Sequence, residues 1–143
     1  MVGIDDSTGA FIRSSAVARL ATADGDGRPS VIPICYVFVE ECFYSPIDEK
    51  PKSLPPRGLK RVRNIEANPH VALVIDEYSE DWSKLRYAVI SGLAEIIEPK
   101  SSAEHAGAVA ALREKYPQYR AMAIDERLMI KIVPTRIKRW DAS

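Results

Sequence analysis

Short apolar runs bounded by turn residues recur along the chain, and helical segments are read in only three places. Asp5 to Ser15 reads as a short first helix, with Asp5 or Asp6 as its cap and Phe11 and Ile12 on its apolar side. The runs 16–23 and 29–38 flank Asp24-Gly-Asp-Gly-Arg28, a hairpin signal. A turn at Glu40-Glu41 leads into 42–47, which predicts a three-stranded meander. Prolines 51, 55 and 56 make 48–58 a loop. Leu59, Val62 and Ile65 recur every three residues and predict a helix that Asn68-Pro69 stops. His70–Asp76 and Leu85–Ile97 read as strands around a polar loop. Ser101 and Glu104 form a capping box for a helix to about Lys115. Residues 129–133 and 136–140 complete the set as a strand bent at Pro134.

Six or seven hairpin-linked strands with few helices lack the strand–helix alternation of a doubly wound sheet. The pattern predicts a mainly β, single-domain chain over residues 1–143, an antiparallel barrel with flanking helices.

The chain has 143 residues, 46% hydrophobic and 28% charged, with twenty basic and twenty acidic side chains. Zero net charge argues against a globally basic nucleic-acid binder. No apolar run approaches the roughly 18 residues of a membrane span, and the N-terminus lacks a signal-peptide pattern. We therefore expect a cytoplasmic protein that binds neither nucleic acid nor membrane. The turn at Glu40-Glu41 pairs Val39 with Cys42 and Cys35 with Pro46. The two thiols then lie on the order of 13 Å apart, too far to bond, and are expected as small buried hydrophobes.

Charge is uneven locally. Lys50, Lys52, Arg57, Lys60, Arg61 and Arg63 fall in fourteen residues without an acid. Lys60 and Arg63 are neighbours on the helix surface, while Arg61 points elsewhere. The run is either a solvated basic loop or a site for a small phosphorylated ligand, with the helix start supplying N–H groups. No aromatic residue interleaves it, which disfavours nucleic acid. Catalytic patterns are thin: there is no G-x-S-x-G, H-E-x-x-H or P-loop, and His70 and His105 read as surface residues. A bound cofactor would then carry any reaction.

Five segments in order, ARLATADGDGRP (18–29), CFYSPID (42–48), LKRVRNIEANPHVAL (59–73), RYAVISG (86–92) and IVPTRIKRW (132–140), resemble the pyridoxamine 5′-phosphate oxidase-like split β-barrels. The likeness is strongest to their short branch of flavin- or deazaflavin-dependent oxidoreductases. It implies an FMN-binding type of split barrel, a homodimer with the cofactor between subunits, and F420 or FMN as that cofactor. Residue by residue, it implies that Ile32, Pro33, Ile34 and Cys35 line the ring, and that Tyr44 and Ser45 approach the phosphate or ribityl chain. Lys60 matches the phosphate lysine, with Lys52 and Arg63 in the same basic locus. Arg86 and Tyr87 match an Arg-Gln pair beside the ring, and Trp140 a C-terminal tryptophan. Leu59 replaces an arginine of the true oxidase, and the segment that holds pyridoxal phosphate there has no counterpart before Ser143, so vitamin B6 oxidation is not expected. The implied activity is hydride transfer to a small conjugated substrate. The alternatives are a non-catalytic flavin or haem carrier, and a regulatory dimer that binds an acidic partner.

Overall fold

The computed structural model describes residues 3–48 and 58–142. Seven strands form one antiparallel sheet: β1 (Ala18–Ala23), β2 (Pro29–Ile34), β3 (Val37–Val39), β4 (Cys42–Pro46), β5 (His70–Glu77), β6 (Arg86–Ile97) and β7 (Met129–Asp141). Their order is β2-β1-β5-β6-β7-β4-β3, and the sheet curls into a half-barrel, the split barrel expected. Helices α1 (Asp6–Ser14), α2 (Lys60–Ala67) and α3 (Ala103–Lys115) flank it. Among the described residues, no helix is long and apolar enough to cross a membrane.

The expected meander is not formed. Residues 29–38 break at Cys35-Tyr36, and the two halves, β2 and β3, lie at opposite edges of the sheet. The break is possible because side chains replace the ladder. Tyr36 N–H donates to Tyr116 Oη at 3.0 Å, Lys115 Nζ donates to Tyr36 O at 2.9 Å, and Ser45 Oγ donates to Cys35 O at 2.7 Å. Backbone groups that leave a ladder need such partners when partly buried. The Glu40-Glu41 turn forms as expected, with Val39 opposite Cys42 and both glutamates at positive φ, 51° and 62°. Its ladder ends at Val37–Tyr44, so Cys35 has no rung with Pro46. The two free cysteines are half-buried rather than buried, because Cys35 sits at the break and Cys42 opens an edge hairpin.

Inward residues of β1, β5, β6 and β7, including Leu20, Leu73, Ile75, Ile90 and Ile130, pack against Phe11 and Ile12 of α1 and Val62 and Ile65 of α2. A second cluster places Val109 and Leu112 of α3 on Val37, Tyr44 and Met129. The last strand is continuous. Its irregularity is a bulge, with Ser91 opposite Arg136 and Gly92 opposite Pro134, which leaves Thr135 over. A Cβ at Gly92 would lie 2.8 Å from both Ile132 Cγ2 and Val133 O, so glycine is required by this close approach.

Two expectations about α3 change. Its N-cap is Ser102, which accepts from His105 N–H, while Ser101 donates to Glu98 O. His105 is buried rather than on the surface, with Nε2 2.8 Å from Arg127 O. A histidine at the third position of this helix faces the core, and the hydrogen bond makes its burial tolerable.

Candidate functional site

The basic helix α2 is held by its underside. Val62, Asn64 and Ile65 are buried, and Asn64 Nδ2 donates to Thr22 Oγ1 on β1 at 3.0 Å. This leaves Lys60 and Arg63 exposed. Leu59, the N-cap residue, contributes no side-chain hydrogen bond to the first-turn N–H groups.

Beside that first turn, a cleft of about 490 Å³ is lined by Thr22, Ser30, Val31, Ile32, Leu59, Lys60 and Arg61. A second cleft of about 230 Å³ continues along β2 and is lined by Val17, Pro33, Ile34, Cys35, Ser45, Pro46, Asp48 and Arg61. Arg61 borders both, and the two clefts along this edge strand are together called the trough. β2 pairs only with β1, so its other edge presents backbone donors and acceptors to an occupant. Pro33 fits there because an edge strand tolerates a missing donor.

The trough brings together Ile32, Pro33, Ile34, Cys35, Ser45 and Lys60. Ser45 is buried, its hydroxyl committed to Cys35 O, so it shapes the wall from behind. Other expected site residues lie elsewhere. Tyr44 faces the opposite way from Ser45, into the α3 cluster, and its hydroxyl donates to Glu104 Oε2. Burial and that carboxylate push the Tyr44 phenol above its ordinary range. Glu104 is held below the usual carboxylate range, first by Lys131, 2.6 Å away. Arg63 borders neither cleft. Arg86 pairs with Glu77 at 3.0 Å and lies 4.2 Å over the Phe11 ring. Tyr87 stacks on Trp140 with centroids 5.5 Å apart, and borders an open groove of about 680 Å³ with Arg19, Val74, Asp76 and Val89. Lys52 falls outside the described residues.

Thr22, Arg61 and Asp48 are among the trough residues missed from sequence. Thr22 had a signal, a polar residue at an inward position after Ala18 and Leu20. Arg61 was expected to point away from the other cations, yet it is half-buried between the clefts. Asp48 had no signal: its partner Tyr119, whose hydroxyl donates to Asp48 Oδ2, is 71 positions away.

The donor set suits a phosphorylated, flat cofactor: a cation and first-turn N–H groups at one end, an edge strand along the length, apolar walls between. Among the described residues, no group of three or more His, Cys, Asp or Glu is placed to hold a metal ion.

Comparison with known proteins gives the same direction. The family model for pyridoxamine 5′-phosphate oxidase matches residues 4–141. No curated protein matches the chain. Among solved structures, the haem storage protein HutZ from Vibrio cholerae superposes with TM-score 0.74 at 17% identity, covering 98% of this chain and 95% of that one. An FAD-binding protein from Mesorhizobium loti gives 0.71 at 21% identity, with 98% and 96% covered. An F420 reductase gives 0.66 at 21% identity, with 94% and 98% covered. At these identities the structural likeness is one of fold.

Proposed function

The chain belongs to the pyridoxamine 5′-phosphate oxidase family, and from that premise we propose that it is a cytoplasmic oxidoreductase that binds F420 or FMN and serves a small conjugated substrate. The observation that carries this reading is the pair of clefts along β2, one beside Lys60 and the α2 first turn and the other beside Pro33, Ile34 and Cys35, with Arg61 bordering both. A reduced flavin or deazaflavin held there would supply the hydride and be left oxidised. Lys60 anchors the phosphate by a charge-assisted hydrogen bond. The backbone of residues 32–35 orients the ring, and Ser45 holds that backbone in place through Cys35 O. Tyr44, whose hydroxyl is committed to Glu104, is not the acid of the site, which leaves Tyr87 of a second copy or solvent to deliver the proton.

The active unit is a homodimer. Tyr87 and Trp140 border neither cleft of the trough in one chain, and a second copy would be needed to bring them to a cofactor there. The outward sheet face supports such packing, since Val31, Val89, Leu93, Val133 and Trp140 are 37–66% exposed.

The test is a side-by-side fluorescence titration with FMN and with F420, followed by turnover of enones and quinones. Binding of neither cofactor would sink the reading, and binding without turnover would reduce it to a carrier.

A haem carrier is the second reading. Its support is His70, an exposed imidazole beside a groove of about 390 Å³ lined by Ala21, Ala72 and Gly92. A haem absorbance band that survives His70→Ala would remove that residue as ligand.

A further inference from the structure

Two walls of the smaller cleft are tied to the end of α3, which does not itself line it. Tyr116, the residue after that helix, uses one hydroxyl twice: Oη accepts the Tyr36 N–H at 3.0 Å and donates to Ala16 O at 2.7 Å. Ala16 precedes Val17 and Tyr36 follows Cys35, and Val17 and Cys35 both line the cleft. The hydroxyl therefore fixes the spacing between the entry to β1 and the end of β2. Lys115 holds the same point. Its Nζ donates to Tyr36 O at 2.9 Å and lies 4.0 Å from the Tyr36 ring and 5.2 Å from the Tyr116 ring. Residues 35–36 belong to no strand, so these bonds, with that of Ser45 to Cys35 O, decide where their backbone stands.

We infer that Tyr116 is the positioning residue of the smaller cleft, setting the spacing of Val17 and Cys35, and that Lys115 makes this hold depend on pH. How well the cleft receives an occupant is then decided from the end of α3, outside it. That the occupant is a flavin or deazaflavin rests on the proposed function. Without the hydroxyl, the Tyr36 N–H and Ala16 O lose a partner, and the walls move to find water or other groups. The pH dependence has a definite sign. Burial, opposed by Cys35, lowers the Lys115 pKa from 10.5 to about 8. Opening of the wall hydrates the amine and returns it toward 10.5, so between about 8 and 10.5 rising pH favours the closed wall. The other titratable groups at this point are Cys35 and the Tyr36 and Tyr116 phenols. Burial pushes both phenols above their ordinary range, so they keep their protons in that window.

The first experiment needs no ligand. N-ethylmaleimide modification of Cys35 is followed by peptide mass spectrometry, with Cys42 as the internal reference. Tyr116→Phe should speed Cys35 relative to Cys42 at least about fivefold, the scale of one lost hydrogen bond. The second reads the pH profile through hydrogen exchange of the Tyr36 amide, taken against the unstructured-chain rate, in a Cys35→Ala background that removes the thiol. Protection should rise at least about fivefold between about pH 8 and 9.5 with Lys115 present and stay flat in Lys115→Met. Cys35 labelling that Tyr116→Phe leaves unchanged overturns the inference. So does the same pH profile with lysine and with methionine, an arm that stands even if Tyr116→Phe does not fold. In the cofactor titration, Tyr116→Phe should weaken FMN, or F420 if only that binds, at least about fivefold. Unchanged affinity beside faster labelling overturns the link from α3 to the occupant. A wild type that binds neither cofactor overturns the cofactor reading, while the labelling and exchange results still decide the hold on the cleft.

Discussion

Asn64 and Thr22 meet across 42 positions of sequence, amide to hydroxyl at 3.0 Å, and each is only 4% exposed. This one bond ties the underside of the basic helix to the floor of the trough. Thr22→Val keeps the shape but leaves the amide donor unmatched. Unfolding in urea should show a loss of about 1–3 kcal/mol, and Thr22→Ser should recover most of it.

On the solvent side of the same helix, Lys60 projects into the larger cleft. Lys60→Ala should weaken FMN binding by about 1.5–3 kcal/mol, the range for a hydrogen bond to a charged group. Riboflavin, which lacks the phosphate, should bind the variant and the wild type equally. Unchanged FMN affinity in a fluorescence titration would remove Lys60 from the site.

Leu93 and Val133 face each other on adjacent strands of the outward face, 42% and 40% exposed. Leu93→Glu should weaken self-association at least tenfold, about 1.4 kcal/mol. Sedimentation equilibrium measures this, and a wild type that is monomeric at micromolar concentration would end the shared-cleft proposal.

Lys115 donates to Tyr36 O and lies 4.0 Å over the Tyr36 ring. Burial lowers its pKa from 10.5 to about 8, with Cys35 opposing the shift. Below about pH 8 the ammonium is charged in both folded and unfolded chains, and its burial cost is present in full. Between about 8 and 10.5 the unfolded chain binds more protons, so this group makes stability rise with pH. Against Lys115→Met, the wild type should therefore gain stability over that window. A constant difference between the two across denaturant melts at several pH values would contradict the assignment.

The turn at Glu40 and Glu41 places two non-glycine residues at positive φ. A left-handed conformation costs an ordinary residue roughly 1–2 kcal/mol. Replacing the pair by Asn-Gly should raise stability by about 1 kcal/mol or more, read as a higher melting temperature.

Much of this protein was legible in one dimension. Apolar runs between turn residues marked the strands, the Val39–Cys42 register followed from turn length, and helical spacing placed Val62 and Ile65 on the buried side of α2. These features depend on neighbours close in sequence, whose spacing sets which face a side chain takes. The basic segment singled out Lys60 and the resemblance singled out residues 32–35, and these line the two clefts along β2.

What tertiary structure decided depends on contacts between distant segments. The run 29–38 reads as one strand, because its own residues all favour extended backbone. It breaks at Cys35-Tyr36 because Lys115 and Tyr116, some eighty positions later, hydrogen-bond to the Tyr36 backbone. That break puts β2 at a free edge and so creates the trough. Tyr44 and Ser45 share a local motif, but alternation sends one side chain to α3 and the other to the trough wall. Asp48 is held beside the smaller cleft by Tyr119, 71 positions later. Periodicity sets which face a residue takes; which partner meets that face is set by the packing of the whole chain.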